Sequence, residues 1–170
     1  PQQQGVGFGQ VFQWDLPLRQ GYGSRVLDVR PGWRSVPTLL SRLRKSLADC
    51  QPDAVLITGW NEPGLMAAYP LVRAMGLPIL LRGESNALRL RSWLTTLLHR
   101  SLLGWVAGVT VIGKANRQFY LNNGVPPARL FGGAYFVESE RMLAMAQEHV
   151  GDRPELRLQA GYEADDFVFC

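Results

Sequence analysis

An α/β fold built on a doubly wound parallel sheet is what this sequence predicts, and three observations carry the prediction. Apolar runs of four to six residues recur at 25–29, 54–58, 78–81 and 109–113. Amphipathic stretches of helical period lie between them, so the order reads strand, helix, strand, helix. The runs are continuously apolar and do not alternate, as strands do when a parallel sheet is covered on both faces and joined by right-handed crossovers.

After a glutamine-rich start, 25–29 is the first expected strand. Residues 36–50 follow as a helix, with Leu39, Leu40, Leu43 and Leu47 at helical spacing. The strand 54–58 leads into a helix over 63–75, which carries Pro63 at its start and Gly76 just past its end, the usual asymmetry of helix termini. A strand at 78–81, a helix over 88–105, a strand at 109–113 and a helix over 114–123 continue the alternation. Asn123-Gly124 and Pro126-Pro127 then mark a stop. A strand over 130–137 and a helix over 138–150 complete the layered unit, expected to span 1–150. Residues 151–166, with Gly, Pro and five acids, read as a linker, and 167–170 as the opening strand of a second domain. The chain opens at Pro1 and closes on Asp-Asp-Phe-Val-Phe-Cys, so it is expected to be a piece of a longer protein.

The net charge of +4 hides an asymmetry. Residues 1–129 hold 13 Arg, 2 Lys and 6 acids, a balance of +9, whereas 130–170 hold 3 Arg and 8 acids, a balance of −5. The basic part either faces an anionic partner or reflects composition alone, and nothing in it points to nucleic acid. Two thiols, Cys50 and Cys170, are too few for a disulfide framework or a zinc site and read as ordinary buried cysteines of a cytoplasmic chain. Every Leu-rich run is broken before it reaches spanning length. No acid cluster has metal-ligand spacing, so neither metal nor cofactor is expected.

Ligands of open parallel sheets bind beyond the carboxyl ends of the strands, which makes the residues just after each apolar run the informative ones. Three such segments are polar: Gly59-Trp60-Asn61-Glu62, Arg82-Gly83-Glu84-Ser85-Asn86 and Gly113-Lys114-Ala115-Asn116-Arg117. Glu84 either meets a sugar hydroxyl, as hydrogen-bond acceptor or base, or pairs with Arg82. Trp60 either stacks on a sugar or base or packs under a loop, and Asn61 is placed for ligand contact. Lys114 and Arg117 stand in a first helical turn, where a phosphate would meet free backbone N–H groups, or else they are a solvated helix start. Gly5-Val6-Gly7-Phe8-Gly9 is glycine-rich without the dinucleotide-binding spacing. His99 and His149 stand apart from any Cys, Asp or Ser constellation and take no role. The 88–105 segment combines Arg89, Arg91 and Arg100 with Trp93 and several leucines, so it reads either as a core-covering helix or as a helix in peripheral contact with a membrane.

These residues carry a family resemblance. Gly7-Phe8-Gly9-Gln10-Val11-Phe12-Gln13-Trp14-Asp15-Leu16-Pro17-Leu18, Thr58-Gly59-Trp60-Asn61, Leu80-Leu81-Arg82-Gly83-Glu84-Ser85-Asn86 and Ile112-Gly113-Lys114-Ala115-Asn116-Arg117-Gln118-Phe119-Tyr120 together resemble the N-terminal domain of family-4 glycosyltransferases. The resemblance covers nearly the whole chain, and Arg-Gly-Glu-Ser-Asn is its most specific piece. It implies a Rossmann-like domain, the N-terminal acceptor-side half of a two-domain GT-B architecture, in a retaining enzyme whose donor-binding domain lies outside this sequence. It also implies that Gly7 and Gly9 approach a donor diphosphate, that Glu84 stands near the reacting centre, and that Trp60, Asn61, Arg82, Ser85, Asn86, Lys114 and Asn116 bind substrate.

The expected function is transfer of a hexose from a nucleotide diphosphate sugar, the co-substrate, to a hydroxyl acceptor, either a saccharide or a lipid-linked glycan. A fragment of this kind is expected to be inactive alone. The alternatives are a GT-B sugar-nucleotide epimerase and a non-catalytic sugar- or phosphate-binding module.

Overall fold

The computed structural model describes residues 3–4, 11–12, 20–27, 29–30, 32–133, 135, 138–163 and 165–167. Its core is a four-stranded sheet flanked by helices, the Rossmann-like α/β arrangement that the sequence predicts. Two short strands, β1 (Gln3–Gln4) and β2 (Val11–Phe12), pair antiparallel apart from that sheet.

The described residues of the 25–29 run do not join a ladder. Val26 faces solvent, and the segment is tied to the outside of the first helix by side chains: Arg25 Nη1 reaches Asp49 Oδ2 at 2.9 Å and Arg42 Nη1 donates to the Leu27 carbonyl at 2.6 Å. An apolar run of this length is compatible with extended backbone whether or not a neighbouring strand is in reach.

Helix α1 (Val36–Cys50) has Pro37 in its first turn and buries Leu47, with Leu43 packed beside it. It ends at Gln51, whose φ of +45° is left-handed and whose N–H caps the Leu47 carbonyl at 2.9 Å. Cys50, at the end of this helix, is exposed; the turn that ends the helix leaves its thiol outside the core. Strand β3 (Val55–Ile57) follows, then α2 (Pro63–Ala74), which buries Ala68, Tyr69 and Val72. Gly64 lets α2 approach α1 closely, since a Cβ there would lie 2.4 Å from Leu39 Cδ2.

Next come β4 (Ile79–Arg82), α3 (Trp93–Leu103), β5 (Val106–Val111), α4 (Lys114–Asn122) and, after a short 3-10 turn, β6 (Leu130–Gly132). The helix expected over 88–105 is shorter at its N-terminal end. Asn86 Oδ1 accepts from Leu88 N–H in a tight turn, and Ser92 caps α3 by accepting from Thr95 N–H at 3.2 Å.

Strand order across the sheet is β3-β4-β5-β6, the order of the sequence, with β3–β4 and β4–β5 parallel. Ile57, Leu81 and Val109 sit side by side in register and are all buried. Right-handed crossovers between strands taken in sequence order put their helices on one face of a sheet. Leu56 of β3 is 52% exposed.

By compactness the chain divides into 1–131 and 132–170. The second unit holds α5 (Ser139–Glu148) and α6 (Arg153–Gln159), neither of which buries a residue. Helix α6 lies within the stretch expected to be a linker. Its Arg157 donates to the carbonyls of Glu163 and Asp166, which ties down the chain after the helix.

Candidate functional site

The carboxyl ends of β3 and β4 open into a cavity of about 610 Å³. Its walls include Gly59, Trp60 and Asn61 after β3 and 83–86 after β4, and its third side is the 89–92 turn with Thr95 and His99 of α3. Five residues expected at the site, Trp60, Asn61, Glu84, Ser85 and Asn86, therefore meet at one cavity.

The loop after β4 is fastened from below. Asn116, 4% exposed, donates through Nδ2 to the Gly83 carbonyl at 2.9 Å and to the Ser85 carbonyl at 2.5 Å, while its Oδ1 accepts from Ile112 N–H at 3.1 Å. Both its donors are thereby committed to backbone, so it positions the Glu84 loop from outside the cavity wall. Tyr120 Oη also donates to the Gly83 carbonyl, at 3.2 Å, and Ala87 N–H donates to the Ala115 carbonyl at 3.0 Å. Gly83 fits only because it lacks a Cβ, which would stand 2.8 Å from the Tyr120 hydroxyl oxygen.

The loop after β3 has a matching post. Gly59 turns with a φ of +95°, a conformation that favours glycine, and its carbonyl accepts from Tyr69 Oη at 3.2 Å. Burial pushes the Tyr120 phenol up to about 12, with an opposing contribution from the Asn116 side chain. Burial, and secondarily Tyr120, raises Tyr69 further. Both phenols stay protonated at neutral pH and serve as fixed donors.

Aromatic rings form the floor. The Trp60 and His99 rings stack at 4.7 Å between centroids with 27° between planes, and Phe119 meets His99 edge-on at 5.6 Å. Trp60 thus packs on a neighbour and still lines the cavity. The Arg91 guanidinium lies over the Phe119 ring at 4.5 Å and donates to the Asn86 and Arg89 carbonyls. His99 is buried, and its Nδ1 has no hydrogen-bond partner. Desolvation, and then the nearby Arg91 charge, lowers its pKa, so the imidazole is neutral at physiological pH.

Glu84 is exposed, stands on the fastened loop and lines the cavity. Arg82 is half-buried and outside the cavity wall, and Lys114 is exposed at the start of α4, also outside it. Gly7 and Gly9 lie outside the described residues. The α3 contribution, Ser92, Thr95 and His99, is absent from the site as read from the sequence. Its signal is a polar stripe at i, i+3 and i+7 on a leucine-rich helix, which puts three polar side chains on one face.

Among the described residues, no group of three or more His, Cys, Asp or Glu side chains could hold a metal ion, and no helix is long and apolar enough to cross a membrane. No family model matches the chain, and no curated protein matches it. Among solved structures it is similar to the UDP-GlcNAc 2-epimerase of Neisseria meningitidis bound to UDP-GlcNAc, with 16% identity and a TM-score of 0.50 over 87% of this chain and 39% of that one. It is also similar to the UDP-N-acetylglucosamine 2-epimerase of Rickettsia bellii, with 12% identity and a TM-score of 0.48 over 77% of this chain and 34% of that one. The chain therefore spans well under half the length of these structures, and the likeness to the Neisseria meningitidis structure shows a shared fold, that of a Rossmann-like GT-B half.

Proposed function

We propose that this chain is the acceptor-side half of a GT-B enzyme acting on a nucleotide sugar, and that the whole protein transfers a hexose from a nucleotide diphosphate sugar to a hydroxyl acceptor. The observation that carries this reading is the cavity at the strand ends, where an exposed carboxylate, Glu84, rides on a loop fixed by Asn116 and Tyr120. Preorganisation of this kind is what positioning a reacting hydroxyl demands.

In this reading Glu84 accepts the hydrogen bond of the acceptor hydroxyl and aims its oxygen at the sugar carbon that leaves the diphosphate. Asn61, Ser85 and Asn86 meet the remaining hydroxyls, and the Trp60 ring offers a flat apolar wall for a sugar face. Arg82 supports the loop, Lys114 meets phosphate oxygens at the α4 terminus, and Gly7 and Gly9 let backbone approach the diphosphate. The donor sugar is a co-substrate, and no cofactor or metal takes part. The chemistry is cytoplasmic, and the domain that binds the donor nucleotide lies beyond this sequence.

The test uses the full-length protein with a panel of nucleotide sugars. Glu84→Gln is expected to lower glycosyl transfer at least about 100-fold without moving the melting temperature. Unchanged turnover removes Glu84 from the reaction. A second reading, a sugar-nucleotide epimerase, is favoured by the likeness to an epimerase structure that holds UDP-GlcNAc. The acceptor separates the two: conversion of one nucleotide sugar into another with no acceptor present establishes the epimerase. Saccharide binding without any turnover establishes a binding module.

A further inference from the structure

Helix α3 has more apolar surface than its crossover role uses. Its inward face buries His99, Leu102 and Leu103. Its outward face, with the turn before it, presents a second apolar stripe: Leu90 is 97% exposed, Leu88 83% and Trp93 74%, followed at helical spacing by Leu94, Leu97 and Leu98. A crossover helix needs one such stripe, and a contiguous exposed patch of leucines and a tryptophan marks a surface that works against something apolar.

The charge around the patch says what that surface is. Arg89 in the turn and Arg100 in the last turn of α3 are both exposed, and the sequence holds no Asp or Glu from Ser85 to Val137. A short helix with Trp and Leu outward and arginines at its flanks has the composition of one that lies in the headgroup region, its apolar side chains among the acyl chains and its guanidiniums on anionic headgroups. At about 1.5 Å per residue its 11 residues make a rod of roughly 16 Å, long enough to lie in the interface and too short to span it.

We infer that the outward face of α3 and the 88–92 turn dock this chain onto an anionic lipid bilayer surface. The geometry has a functional corollary. Arg89 and Leu90, both exposed, belong to this face and to the cavity wall, so the cavity mouth stands at the plane of the docked surface. A site placed there is within reach of a hydroxyl carried on a lipid headgroup. The docking inference itself rests on α3, the 88–92 turn and the charges of that segment, independent of the reaction proposed above.

The test is co-sedimentation of the full-length protein with vesicles of phosphatidylcholine alone and with about 30% phosphatidylglycerol. The wild type is expected to partition at least about tenfold more strongly onto the anionic vesicles and to lose most of that advantage in high salt. Leu94→Glu together with Leu97→Glu, both on the exposed stripe and outside the cavity wall, is expected to reduce binding at least about tenfold. Leu158→Glu, on an exposed face of α6, serves as a control and is expected to leave binding unchanged. The far-ultraviolet circular dichroism of each variant confirms its fold. The inference is overturned by absence of vesicle binding, by equal binding to neutral vesicles, or by binding that survives the α3 substitutions. Self-association of the wild type that the same substitutions abolish, without vesicle binding, assigns the patch to a second copy of the chain and overturns the inference as well.

Discussion

The two sides of the cavity are built on opposite principles. The wall after β4 is fixed: the Gly83 and Ser85 carbonyls are held by Asn116 and Tyr120, two buried side chains. The rim formed by residues 88–94 is open, held mainly by a local turn and by Arg91, with its leucines and tryptophan in solvent. A carboxylate that must aim a hydroxyl belongs on the first kind of support, and a surface that must adapt to a bulky partner belongs on the second. The contrast separates substitutions that cost stability from substitutions that change only what the chain binds.

The largest effect is expected at Asn116. Asn116→Ala strips partners from the half-buried Ser85 carbonyl and Ile112 N–H, and removes one of two donors to buried Gly83. A loss of about 3 kcal/mol in urea unfolding is expected. A loss under about 1 kcal/mol would show that the loop holds itself and that the contrast between wall and rim is overdrawn.

Next comes the close approach of Gly83 to Tyr120. Gly83→Ala puts a methyl group against the phenol oxygen and is expected to cost about 2 kcal/mol. In a Tyr120→Phe background, where that oxygen is gone, the same substitution is expected to cost less than about 1 kcal/mol, so a double-mutant cycle reads the contact directly. Strict additivity would break the assignment.

The smallest expected effect is the pH response of His99. Its folded pKa lies below the 6.5 of a free histidine, so the unfolded chain takes up a proton first as the pH falls. Stability is therefore full above about pH 6.5 and declines as the pH drops toward the lowered folded value. Melting scans between about pH 7.5 and 5 are expected to fall by a few degrees more in the wild type than in His99→Phe. Identical slopes would show that the stacked imidazole protonates as freely as one in water.

Much of this organisation is legible in the chain. Leu39, Leu43 and Leu47 mark α1, Pro63 and Gly76 bracket α2, and two of the three polar strand ends, those after β3 and β4, line the cavity, because periodicity and termini are local properties. What was not legible depends on contacts distant in sequence. The described residues of the 25–29 run are unpaired, since pairing is decided by where its neighbours lie. Asn116 reads as a ligand-facing amide, yet its partners lie 31 and 33 residues away and convert it into a brace. His99 reads as an isolated histidine, and only the fold brings Trp60 and Phe119 against it. The core-covering reading of 88–105 describes one side of α3, which buries His99, Leu102 and Leu103 and leaves Trp93, Leu94, Leu97 and Leu98 exposed.

The strand order β3-β4-β5-β6 also bears on how the chain acquires its shape. Each strand pairs with the one made just before it, across a single intervening helix, so the sheet requires no pairing between remote segments. That keeps contact order low for a parallel sheet and shortens the loops that must close before each pairing is rewarded. Growth can therefore proceed strand by strand from β3, in step with a ribosome that releases β3 first and β6 last, so that β4, β5 and β6 each emerge onto an edge that is already formed.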